Sequence, residues 1–111
     1  MRVEGPTAHT GRVRVELLHI ADCPGHERAA SRLRAALDSL GLAATRIEEV
    51  RVGAGSIPAG FAGSPTILVD GTDLFPGTPP LAHLACRVYR TGAGPANSPS
   101  SEQILAALAS R

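Results

Sequence analysis

The chain has 111 residues, 43% of them hydrophobic and 19% charged, and its 11 basic residues, all arginine, stand against 10 acidic ones for a formal net charge of +1. That length makes one domain, and that balance excludes disorder of the charged, apolar-poor kind. One Tyr, two Phe, no Trp and no basic excess exclude the stacking surface and cationic face of a nucleic-acid binder, and no apolar run approaches the ~18 residues of a membrane span.

Residues 1–12, "MRVEGPTAHTGR", have no periodicity and no apolar secretory core, so they read as a flexible tail ahead of a domain over 13–111, and the chain reads as cytoplasmic. Val13 to Ile20 predicts a strand, alternating first and then continuously apolar as in the middle of a sheet. Ala21 to Gly25 is a loop. From His26, Ala30, Leu33, Leu37 and Leu40 recur at helical spacing, and Gly41 stands where a helix ends, which gives an amphipathic helix of about four turns.

Ala44 to Val52 predicts a second strand, and "GAGSIPAGFAG" an irregular stretch. Asp70-Gly71 joins two β-rich segments, about Pro65 to Val69 and Asp73 to Phe75, in a tight hairpin. "PGTPPL" is a loop, "AHLACRVYR" fits either helix or short strand, and "TGAGPANSP" is another loop. Ser100 or Ser101 then caps a C-terminal helix, with Gln103 three residues after Ser100 as in a capping box. The order β, α, β, β, β, α gives one mixed sheet of about four strands with helices on its faces.

Two cysteines in a reducing compartment point to redox, metal or plain core roles rather than a structural disulfide. Cys23 lies ahead of the first helix, where unpaired N–H groups and the helix dipole favour a thiolate, and Pro24 suits the first turn. His26 and Arg28 add positive charge there, while Asp22 opposes it. The plain alternative is an unreactive loop cysteine. Cys86, among apolar neighbours, reads as buried and inert, or as a resolving thiol if its Cα comes within about 7 Å of that of Cys23.

His19 reads as a strand residue facing the helix, and His9 and His83 as solvent-facing. Glu48 and Glu49 are expected on opposite sides of their strand. Arg28, Arg32 and Arg34 read as the solvated face of the helix. His26 with Cys23 offers one nitrogen and one sulfur, short of the four ligands of a closed zinc site, so no metal ligand set is predicted. No Ser/His/Asp order, phosphate loop or dinucleotide fingerprint occurs, and no cofactor is indicated.

A strand, "CPGH" opening a helix, and "GSPT" opening a hairpin together resemble the thioredoxin-like family, over roughly Val13 to Phe75 plus the terminal helix. The resemblance implies Cys23 as nucleophile, His26 in place of a second cysteine, and Pro65 as a cis-proline flanked by Ser64 and Thr66. It implies an α/β fold and thiol-disulfide chemistry with glutathione or protein thiols, with Arg28 meeting a glutathione carboxylate. It further implies that the edge beside Pro65 takes an extended peptide or glutathione by main-chain hydrogen bonds. With no second cysteine in the motif, the site suits transfer or capture by one thiol, through Cys86, glutathione or a soft metal ion. "VELLHIADCPGHERA", "GSPTILVDG", "CRVYRT" and "PSSEQILAAL" also resemble small bacterial proteins labelled thioredoxin-like or alkylmercury lyase. The latter label implies two thiolates and a carboxylate, for which Cys23, Cys86 and Asp22 have the right types.

Overall fold

The sheet is built outward from one of its two central strands. β1 (Val15–His19) is parallel to β2 (Ile47–Arg51) on one side and antiparallel to β3 (Thr66–Val69) on the other. β4 (Thr72–Asp73) closes the far edge, for the order β2-β1-β3-β4. The structure, a computed structural model, describes residues 13–111, so the tail expected over 1–12 and His9 lie outside the described residues. α1 (His26–Ser39) connects the parallel pair, and α2 (Ser101–Ala109) ends the chain.

Strand alternation assigns the two faces. Val15, Leu17, Ile67 and Val69 meet Ala29, Leu33, Leu37 and Ile104 of the two helices in the main core. Leu18 and Leu68 point the other way and are covered by Val52 and the fully buried Phe61. The helical stripe is rotated from the expected one: Ala29 and Ala36 join Leu33 and Leu37 in burial, while Leu40 is 37% exposed. Leu40 lies at the helix C-cap, where the chain turns away from the core.

The local signals act as their chemistry requires. Gly41, at φ +78°, lets Leu42 N–H donate to the Leu37 carbonyl (2.8 Å) and its own N–H donate to that of Asp38 (3.2 Å), the paired bonds of a Schellman end. Asp70 and Gly71 both take positive φ in the two-residue turn between β3 and β4. Ser100 Oγ accepts from Gln103 N–H (3.1 Å), and Gln103 Oε1 accepts from Ser100 N–H (2.9 Å), which completes the capping box.

The chain after Phe75 departs from expectation. "TGAGPANSP", expected as a loop, supplies the turn and the second strand of a hairpin between β5 (Tyr89–Thr91) and β6 (Gly94–Ala96). Of the two readings of "AHLACRVYR", helix and short strand, the structure has the short strand. The middle of this segment runs extended beside Ser64, and only its end enters β5. Arg87 fixes this return. Its guanidinium is buried, donates to Asp73 Oδ2 (2.9 Å) and the Phe75 carbonyl (2.6 Å), and lies 4.7 Å from the centre of the Tyr89 ring. Such a buried ion is tolerated because each charge has partners.

Candidate functional site

Parallel strands place their carboxyl ends, and the N-terminus of the connecting helix, at one edge of the sheet, the position where ligands bind in open α/β folds. Here that edge carries a cavity of about 490 Å³ lined by His19, Ile20, Asp22, Cys23, His26 and Arg51, among others. Asp22, at φ +58°, turns the chain out of β1. Cys23 follows, half-buried, and its carbonyl accepts from His26 N–H (3.3 Å) in a turn that precedes α1. The helix N-cap is Gly25, so Pro24 belongs to that turn and is exposed, rather than lying in the first helical turn as expected.

Gly25 has a steric reason. A Cβ there would stand 1.9 Å from the Asn97 carbonyl oxygen, so the loop before α2 packs directly on the backbone of "CPGH". Arg28 donates to Asn97 Oδ1 (3.3 Å) across the same contact. Arg32 donates to Ser98 Oγ (3.0 Å) and the Pro99 carbonyl (2.8 Å), and Arg34 to the Thr45 carbonyl (2.7 Å). Arg32 and Arg34 therefore tie the helix to its neighbours instead of forming the solvated face expected of them.

His26 is engaged by partners other than the thiol. Its ring stacks on that of His19, with centroids 3.6 Å apart and planes 7° apart, and its Nε2 lies 2.5 Å from Glu49 Oε1. His19 comes from the helix-facing side of β1, as expected. Glu49, two residues before Arg51, shares that side through the register Leu17↔Glu49 and His19↔Arg51. Burial, helped by the proximity of His26, pulls the His19 pKa below its ordinary value. Sequence reasoning missed this group because only strand register brings Glu49 to the histidines.

The Ser64-Pro65 bond is cis, as the resemblance implied. Ser64 Oγ accepts from Ile20 N–H (3.0 Å), which ties this loop to the segment leading into Cys23. Thr66 is buried, accepts from Ala62 N–H (3.1 Å) and donates to the Gly63 carbonyl. Tyr89 Oη donates to the Pro65 carbonyl (2.5 Å). Burial raises the pKa of that hydroxyl above its ordinary value, against the opposing charge of the nearby Arg87. Cys23, Pro65 and Tyr89 thus belong to one corner of the fold.

Two expectations for this corner are corrected. The edge beside Pro65 is already paired: Ser64 N–H donates to the Ala85 carbonyl (2.8 Å), and the Ser64 carbonyl accepts from Arg87 N–H (2.9 Å). Gly63 leaves room for this strand, since a Cβ there would meet Arg87 Cβ at 2.9 Å. Cys86, expected in the core, lies between those two bonds in a parallel bridge to Ser64 and is exposed, because the extended chain alternates and Arg87 and Tyr89 are the residues that turn inward. Among the described residues, the group of three potential metal ligands that converges is His19, His26 and Glu49. Cys23, Cys86 and Asp22 do not form one. No protein-family model, curated protein or solved structure significantly matches this chain.

Proposed function

We propose that this protein carries out thiol-disulfide exchange through Cys23, on a thioredoxin-like scaffold, in the reducing environment of the cytoplasm. The observation that carries the reading is the position of Cys23. It is a free, half-buried thiol at the mouth of a cavity, between the parallel strand ends, the start of α1 and the Pro65 loop. The order β2-β1-β3-β4, with β1 parallel to β2 and antiparallel to β3, supports the scaffold assignment, as does the cis-proline opening β3.

In the proposed reaction the Cys23 thiolate attacks one sulfur of a disulfide. A mixed disulfide forms on Cys23, and the other sulfur leaves as a thiolate. A second thiol then attacks the mixed disulfide and returns Cys23 to its reduced state. The Ser64 edge is occupied by residues 85–87, so an extended peptide would have to displace them. A small disulfide that enters the cavity, such as oxidised glutathione, fits the site without that cost.

The test is mass spectrometry of the reduced chain after brief incubation with oxidised glutathione at neutral pH. One glutathione on Cys23, retained in Cys86→Ser and lost in Cys23→Ser, is the expected result. A Cys23 that stays unmodified while exposed Cys86 reacts would reject the proposal in favour of a binding module without thiol chemistry.

A further inference from the structure

We propose that His19, His26 and Glu49 form a binding site for a zinc ion with an exchangeable fourth position. Their three ligand atoms lie within 4.8 Å of one another and come from three rigid elements: the end of β1, the first residue of α1 and β2. Two imidazoles and a carboxylate are a donor set suited to zinc, and three protein ligands beside a cavity leave the fourth position to water or a small molecule. Two nitrogens bound to a tetrahedral zinc at about 2.1 Å stand roughly 3.4 Å apart. The ring centroids are 3.6 Å apart and the lone pairs lie in the ring planes, so the rings must rotate out of their parallel stack for the two nitrogens, within 4.8 Å of each other and of the carboxylate oxygen, to converge on one ion.

Neighbouring groups fix both rings: they are stacked face to face, and each has a polar partner at one ring nitrogen. His19 Nδ1 lies 3.5 Å from the Ile20 carbonyl. A proton on that nitrogen, donated to the carbonyl, leaves Nε2 for the metal and holds the ring in orientation, as is usual for ligating histidines. At His26 the ion takes the place of the proton between Nε2 and Glu49 Oε1, and that proton leaves to solvent on binding. Of the charged residues lining the cavity, Asp22 and Glu27 favour a cation and Arg51 opposes it. The site uses atoms other than the Cys23 sulfur, so it stands apart from the thiol-exchange reading.

The experiment titrates the metal-stripped full chain with Zn²⁺ against a chromophoric chelator, and with Co²⁺ as a spectroscopic probe. The proposal predicts one equivalent bound and visible d–d absorption from the cobalt form. His26→Gln and Glu49→Gln should each weaken zinc binding at least about tenfold, the size of effect known for groups that support metal ligands. The double variant Cys23→Ser/Cys86→Ser should still bind one equivalent. Glu49 is nearly half exposed, so Glu49→Gln should keep its fold, which circular dichroism and thermal unfolding check. Zinc binding no tighter than that of a His19→Ala/His26→Gln/Glu49→Gln variant would overturn the proposal. So would binding that survives Glu49→Gln and disappears in the double cysteine variant, which would put the ion on the thiols.

Discussion

Cys86 and Ser64 are partners in a parallel β-bridge, with the Ser64 N–H and carbonyl bonded to the residues on either side of the cysteine. The strand that fills the edge beside Pro65 is therefore the protein's own. It presents an exposed thiol at that edge, and the buried side chains of Arg87 and Tyr89 hold it there.

Arg87 is the anchor of that strand, and Arg87→Ala should cost about 3–5 kcal/mol, the usual penalty for removing one partner of a buried ion pair. The substitution leaves Asp73 and the Phe75 carbonyl without their donor. Urea unfolding measures the loss. A change below about 1 kcal/mol would mean that the pair behaves like a surface salt bridge.

Gly25 and Gly53 make a matched pair of alanine substitutions. Gly25→Ala forces a Cβ into the Asn97 carbonyl, whereas at Gly53 a Cβ meets nothing within 4 Å. Gly25→Ala should destabilise by at least the ~1–3 kcal/mol typical of overpacking, and Gly53→Ala should stay within about 0.5 kcal/mol of the parent. Equal midpoints in urea would contradict the close packing of the Asn97 loop on the "CPGH" turn.

Much of the frame was legible because its signals are local. Gly41, Asp70-Gly71 and Ser100 with Gln103 act through backbone geometry within a few residues, and each behaves as its type predicts. The return of residues 81–96 was illegible for the opposite reason. Its strands are three residues long, β6 being Gly-Pro-Ala, and the Ser64–Cys86 and Asp73–Arg87 pairings are distant in sequence. Cys86 was misplaced because apolar neighbours in sequence do not tell which side chains turn inward. At the site, Cys23 ahead of a helix was readable. The convergence of His19, His26 and Glu49 depended on a parallel register that periodicity alone does not supply.

His19 should titrate below the ordinary histidine value of about 6.5 in the metal-free protein, because burial and His26 both disfavour its charged form. The sign for stability follows. The folded state prefers neutral His19, so its contribution is complete above about pH 6.5 and falls as pH drops from there through the lower folded value. Histidine chemical shifts across a pH series report the titration. His26→Ala removes one of the groups that lower it and should move the His19 value upward; a shift downward would contradict the stacking account.

Ser100→Ala should cost about 1 kcal/mol through loss of the α2 cap, and hydrogen exchange should quicken first at the Gln103 amide. An unchanged Gln103 exchange rate would mean that the capping box contributes nothing to the terminal helix.

If Cys23 is the working thiol, as proposed, its rate of reaction with a chromogenic disulfide at neutral pH depends on the fold. The measurement uses Cys86→Ser protein, folded and then unfolded in urea. A folded-state rate at least about tenfold above that of the unfolded chain is expected, since the rate of thiol-disulfide exchange is set by the site around the attacking sulfur. A folded rate equal to or below the unfolded one would contradict the proposal.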